Sequence, residues 1–111
     1  MSGTGLLGEF EQVVLLSILQ HERDGYAIAI RGEIERVTER TVSRGALYRT
    51  LDRLGNKGLV AWELEEAGER RGNNPRKRFS VTRLGLDALR RSHSVVAQLS
   101  AGLEELLEPS R

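Results

Sequence analysis

Gly58 separates two hydrophobic periods, and that change limits the folds open to this chain more than any other feature. Before it, apolar residues recur at helical spacing. Directly after it, "LVAWELEE" alternates, with Val60, Trp62 and Leu64 on one side, and "KRFSVT" alternates again with Phe79 and Val81 together. Period-two patterns of this kind read as strands. Between them "AGERRGNNPR" is rich in glycine, asparagine and arginine and holds a proline, the composition of a polar hairpin tip. Helices followed by one antiparallel pair with an extended basic loop are therefore expected, with Trp62 packed in the core.

Three helices precede the hairpin. From Glu9 to about Glu22, residues Phe10, Val13, Val14, Leu15, Leu16, Ile18 and Leu19 occupy nearly every side, which calls for cover on two faces. Asp24 can cap a second helix beginning near Gly25, whose Ala27, Ile30, Ile34 and Val37 form one buried stripe opposite Arg31, Glu33, Glu35 and Arg36. Ser43 can cap a third. There Leu47, Leu51 and Leu54 fall within about 60° of one another at about 100° per residue, so this stripe faces the core. The opposite arc carries Gly45, Arg49, Asp52, Arg53 and Asn56, flanked by Tyr48 and Arg44 on one side and Lys57 on the other. Gly58 can end the helix in a left-handed conformation.

After the hairpin, Thr82 can cap a last helix running to about Glu108. Leu89, Val96 and Leu103 repeat every seven residues and Leu99 and Leu106 interleave with them, with Ser92 the polar exception. The pattern is that of a short coiled-coil seam. The expected organisation is a flexible N-terminus over 1–8, a helical domain with its hairpin over 9–82, and a C-terminal dimerisation helix over 83–108.

A chain of 111 residues with 39% hydrophobic content makes one domain, small enough to gain from burial against a partner. It has no cysteine, so disulfide and thiolate chemistry are excluded and a reducing cytoplasm fits. The longest apolar run, "VVLLSIL", is too short to span a bilayer, and the N-terminus lacks the basic region of a secretory signal. The net charge of +1 conceals segregation. Residues 8–39 hold seven acids and three bases, residues 40–58 five bases and one acid, and residues 70–91 eight bases and one acid.

The order helix, helix, helix, strand, basic loop, strand, helix is that of a winged helix-turn-helix, a mainly α fold. A major groove about 12 Å wide admits a helix, and a hairpin wing can reach the neighbouring phosphates. Bases are needed at both places because phosphate neutralisation and counterion release supply much of the affinity. The expected DNA-binding residues are Ser43, Arg44, Tyr48, Arg49, Arg53 and Lys57 on the third helix and Arg71, Arg76, Lys77 and Arg78 on the wing. Arg78 ranks last because strand alternation can aim it along the sheet. The competing reading is a solvated face whose charges pair at i, i+3 and i, i+4 for a few tenths of a kcal/mol, with a basic loop that is merely soluble. Asp52 stands among these bases, either orienting Arg49 or accepting from a cytosine amine.

Nothing in the chain equips an enzyme. No nucleophile stands beside a base, no glycine loop cradles phosphate, and His21 and His93 sit on separate helices without cysteines. No catalytic residue, cofactor or metal is expected.

Three stretches carry a family resemblance: "DGYAIAI" at 24–30, "VSRGALYRTLDRLGNKGLV" at 42–60 and "GNNPRKRFSVTRLG" at 72–85. In their Gly-Tyr start, Gly-x-x-Tyr recognition helix closing on Gly-Leu-hydrophobic, and basic-aromatic strand ending in Thr-x-x-Gly, they resemble short members of the PadR family of bacterial transcriptional regulators. The resemblance implies a homodimeric DNA-binding repressor with first and last helices at the subunit interface. Phe10, Val14, Leu89, Val96, Leu99, Leu103 and Leu106 are the dimerisation residues it implies. By position Tyr48 matches the recognition-helix tyrosine, and Arg76 and Lys77 match basic wing residues. Two departures stand out: Asn73 and Asn74 replace a tighter Gly-Arg wing pattern, and the only tryptophan is Trp62 in a strand. The second speaks against a ligand slot between tryptophans of the dimer helix.

The expected partner is double-stranded DNA with a near-palindromic operator, bound in the cytoplasm at the bacterial nucleoid, because a two-fold dimer presents its reading helices about 34–36 Å apart. The alternative is a winged-helix protein–protein interaction module without DNA specificity of its own. A small-molecule effector coupling the dimer helices to DNA release would extend the first reading, but the sequence supplies no pocket chemistry for it.

Overall fold

The computed structural model describes residues 5–66 and 75–109. Its elements run α1 (Glu9–Gln20), α2 (Ala27–Thr38), α3 (Arg44–Asn56), β1 (Val60–Glu65), β2 (Arg76–Val81), α4 (Arg83–Ser100) and α5 (Glu104–Leu107). This mainly helical arrangement with one two-stranded antiparallel sheet is a winged helix.

The core is built where the stripes converge: Val14, Leu15 and Ile18 of α1, Ile30 and Ile34 of α2, and Leu47, Leu51 and Leu54 of α3, closed by Val60, Phe79 and Leu89. Cover on both sides of α1 is not complete within one chain, since Leu16 is exposed and Phe10 and Val13 are only partly buried. Val37, expected in the α2 stripe, is exposed as well. Asp24 does not cap α2, whose N-cap is Tyr26 without a side-chain bond. The reason lies one residue on. Phe79 N–H donates to the Gly25 carbonyl at 2.6 Å, and Tyr26 forms an isolated antiparallel bridge with Arg78, so this segment is held as an extra rung beside β2. Only glycine fits there, because a Cβ on Gly25 would strike the Phe79 carbonyl.

Other junctions follow the sequence closely. Ser43 Oγ accepts from Ala46 N–H at 3.0 Å, capping α3. Gly58 takes φ +77° after it, in the region that favours glycine. Thr82 Oγ accepts from Gly85 N–H at 3.0 Å to cap α4 and donates to the Gly58 carbonyl at 2.6 Å, locking the two junctions together. The register pairs Val60 with Val81, Trp62 with Phe79, and Leu64 with Lys77. Trp62, expected in the core, is instead 50% exposed, because β1 leaves the helices after Val60.

The N-terminal lead-in is not free throughout 1–8. Residues 1–4 lie outside the described residues, but Leu7 is buried and its N–H donates to Ser92 Oγ at 3.1 Å. The last helix is also shorter than expected. It ends at Ser100, Ala101 turns extended, Gly102 takes φ +85°, and the single turn of α5 follows. Glycine costs about 1 kcal/mol in a helix relative to alanine, and at Gly102 no other described residue lies within 4 Å of where a Cβ would sit. The radius of gyration is 16.0 Å, against about 13 Å for a compact chain of about 100 residues. Beyond Ser92, α4 is mostly exposed, Val96 and Leu99 included.

Candidate nucleic-acid interface

α3 owes its position to the leucines beneath it, and this fixes which side chains it can offer outward. Arg44, Arg49, Asp52, Arg53, Asn56 and Lys57 are all exposed and Tyr48 is half-buried. Arg44 and Arg49 make no ion pair with any described acid. Arg49 lies over Gly45, where an added Cβ would sit 3.2 Å from Nη1, so the glycine leaves room for the guanidinium. Asp52 pairs with neither Arg49 nor Arg53 among the described residues. It therefore does not orient Arg49 within the unbound chain.

Arg53 and Lys57 are differently placed. Arg53 Nε and Lys57 Nζ both reach Glu11 Oε2, at 3.2 and 2.8 Å. Glu11 is buried at 7% exposure, and its Oε1 accepts from Gly8 N–H at 3.0 Å. Burial pushes the Glu11 carboxyl up, but the hydrogen bonds from Lys57, the Gly8 amide and Arg53, with the charge of Lys57, outweigh it and hold the group below the usual carboxylate range. Glu11 was not singled out from sequence. The one signal was local: a glutamate three residues after Gly8, the spacing of a capping box.

The wing cations divide by strand face. Lys77 sits on the face turned toward α3, its ammonium 4.1 Å from the Trp62 ring centroid, a cation–π contact that occupies the exposed indole. Between this pair and α3 runs an open groove of about 510 Å³ lined by Tyr48, Asp52, Asn56, Trp62 and Lys77. Arg76 and Arg78 lie on the other face, opposite Glu65 and Glu63. Arg76 stacks on Tyr26 at 3.4 Å and stands 3.9 Å from Glu65, whose Oε1 accepts from the Tyr26 hydroxyl at 2.7 Å. Arg78 Nη2 donates to the Glu22 carbonyl at 2.8 Å. Arg76 thus ties the hairpin to the start of α2 and Arg78 ties it to the segment between α1 and α2, roles the sequence pattern does not announce. Arg71 lies outside the described residues.

α2 shows what a self-satisfied charged face looks like. Glu33 accepts from Arg36 at 2.8 Å and contacts His21 at 3.2 Å, and Arg31 lies 3.8 Å from Glu35. Hydrogen bonds from Arg36 and then His21 hold the Glu33 carboxyl below its ordinary value. Of the expected dimerisation residues, Val14 and Leu89 are buried in their own chain and Phe10 is partly buried. Val14 and Leu89 are core residues first. Val96, Leu99, Leu103 and Leu106 are exposed, Leu99 by 75%.

No helix among the described residues is long and apolar enough to cross a membrane. No group of three or more metal-ligating side chains occurs among them either.

Comparison with known proteins gives the family and the fold. A family model described as the transcriptional regulator PadR-like family matches residues 15–91. A comparison with curated protein sequences finds no match. Among solved structures, a PadR-like transcription factor from Bacteroides fragilis superposes with a TM-score of 0.69 at 25% identity, covering 87% of this chain and 88% of the other. A PadR family transcriptional regulator from Eggerthella lenta gives 0.66 at 27%, covering 92% and 88%. RosR of H. salinarum gives 0.64 at 31%, covering 86% and 79%.

Proposed function

The chain belongs to the PadR-like family of transcriptional regulators, and from that premise we propose that it is a homodimeric repressor that lays α3 in the major groove of a near-palindromic operator. Regulators rather than enzymes populate both the family and its solved relatives. The observation that carries the reading is the outward face of α3. Arg44 and Arg49 stand there without an acidic partner among the described residues, and the groove toward Lys77 is lined by Tyr48, Asp52 and Asn56 of the same helix. A face meant only for water would be expected to pair its charges as α2 does.

In this reading Arg49, opposite the leucine stripe, reads base edges with Tyr48 and Ser43 beside it, while Arg44 and Lys77 meet phosphates. Asp52, unpaired beside Arg49, is suited to accept from a cytosine amine. Arg76 and Arg78 serve by fixing the angle of the wing. Repression follows from occupying the DNA, and the protein works where the chromosome is, in the cytoplasm. The exposed side of α4, with Val96 and Leu99, and the uncovered side of α1 support association of two copies, which would bring two α3 helices onto one face of the duplex.

Fluorescence anisotropy with operator DNA, found by selection from random or genomic fragments, tests this. Arg49→Ala is expected to lose about 1–3 kcal/mol and relax sequence preference, whereas Lys77→Ala weakens all sequences alike and lowers the salt slope by about one. A wild-type protein whose DNA binding is absent, or indifferent to salt, would end the proposal.

A further inference from the structure

Four cations line α3, yet they are not equivalent. At about 100° per residue, Arg49 points opposite the leucine stripe, Arg53 is rotated from it by about 40° and Lys57 by about 80°, toward α1. There Glu11 is itself buried, one turn ahead of the fully buried Val14 and Leu15. We propose that Glu11 withholds Arg53 and Lys57 from DNA, so that one buried carboxylate of α1 sets how many phosphates α3 neutralises. The inference rests on the DNA-binding reading above.

The physical case is a competition for the same cations. A carboxylate taken out of water is costly unless its lone pairs are filled. Glu11 fills Oε1 with the Gly8 amide and Oε2 with both Lys57 Nζ and Arg53 Nε. Arg53 Nη2 is further engaged by Thr50 Oγ1 at 3.4 Å. Moving Lys57 to a phosphate would leave Glu11 buried with part of its compensation gone, a cost that the exposed, unpaired Arg44 and Arg49 do not carry. The triad of one acid and two bases presents a single net positive charge where two cations stand. Because Glu11 is held below the usual carboxylate range, it stays ionised at neutral pH, and the restraint is permanent rather than a pH switch near 7.

Glu11→Gln keeps an acceptor for the Gly8 amide and removes the charge. The test reads the slope of log K against log salt for operator binding, with circular dichroism to verify folding. The slope is expected to steepen by about 0.9 to 1.8, one unit of about 0.9 for each phosphate gained, and Glu11→Gln combined with Arg53→Ala and Lys57→Ala should return to the wild-type slope. Lys57→Ala in the otherwise unaltered protein should leave the slope unchanged, which keeps the test decisive where Glu11→Gln does not fold. An unchanged or shallower slope in folded Glu11→Gln overturns the proposal, as does a slope loss of about 0.9 from Lys57→Ala alone. Either result with wild-type binding and the Arg49→Ala loss intact leaves the DNA-binding reading standing. Absence of wild-type binding would remove both.

Discussion

α3 and α4 carry apolar stripes of the same kind, and the two stripes meet opposite fates. Leu47, Leu51 and Leu54 of α3 are 1%, 2% and 0% exposed, whereas Val96 and Leu99 of α4 are 57% and 75% exposed. The stripe of α4 even begins like that of α3, since Leu89 is buried and Ser92 is sealed. It then leaves the core. Amphipathic periodicity therefore announces that a face will be covered but not whether the cover comes from the same chain. For α3, cover in cis fixes the orientation of the opposite face and so aims Arg49. For α4, the missing cover is the strongest argument for a second copy.

Substitutions on the two stripes should separate these cases. Leu51→Ala opens a cavity in the core, and such changes cost about 2–5 kcal/mol. The loss should appear in urea denaturation at every protein concentration, since no partner is involved. Leu99→Asp is expected to do the reverse. It should leave the secondary structure of the monomer intact while weakening the proposed dimer by about 2 kcal/mol or more, roughly 30-fold, as for a residue at an interface centre. Sedimentation equilibrium measures this, and DNA affinity should fall with it because both half-sites are no longer held together. Should Leu99→Asp unfold the protein at high dilution as strongly as Leu51→Ala does, the contrast between cis and trans cover fails.

The sequence announced the elements better than it announced the partners of individual side chains. Ser43, Gly58 and Thr82 were legible because caps and left-handed turns are local decisions of three or four residues. The leucine stripe of α3 was legible because three residues at helical spacing suffice. Trp62 and Val37 were not, because burial depends on where a neighbouring element runs, and alternation or spacing cannot say that β1 departs from the helices after Val60. Glu11 was missed for the same reason: its partners lie 42 and 46 residues away. Arg76 and Arg78 look like wing cations in any reading by composition, but strand register turns them toward Tyr26 and Glu22. The break at Gly102 had a visible cause in the glycine itself, yet the heptad count from Leu89 to Leu106 runs through it unaltered.

The smallest expected effect sits where the two fates join. Ser92 is the polar member of the α4 seam, at 2% exposure, and its Oγ accepts from the Leu7 amide at 3.1 Å. It is the last buried residue of α4 before the stripe emerges, so it pins the helix to the segment that leads into α1. Ser92→Ala leaves the Leu7 N–H buried without an acceptor, at a cost of about 1–2 kcal/mol. Because the lead-in would loosen rather than the core, the loss should concentrate in local opening: faster hydrogen exchange at Leu7 and along the first turn of α1, with the amides of Leu51 and Leu54 protected as before. Affinity in the proposed dimer should also drop slightly, since α4 would be held less firmly at the angle that leaves Val96 and Leu99 exposed. Equal loss of protection at Leu7 and Leu51 would mean that α4 is part of one cooperative unit with the core, and that its exposed half differs from α3 only in lacking a neighbour.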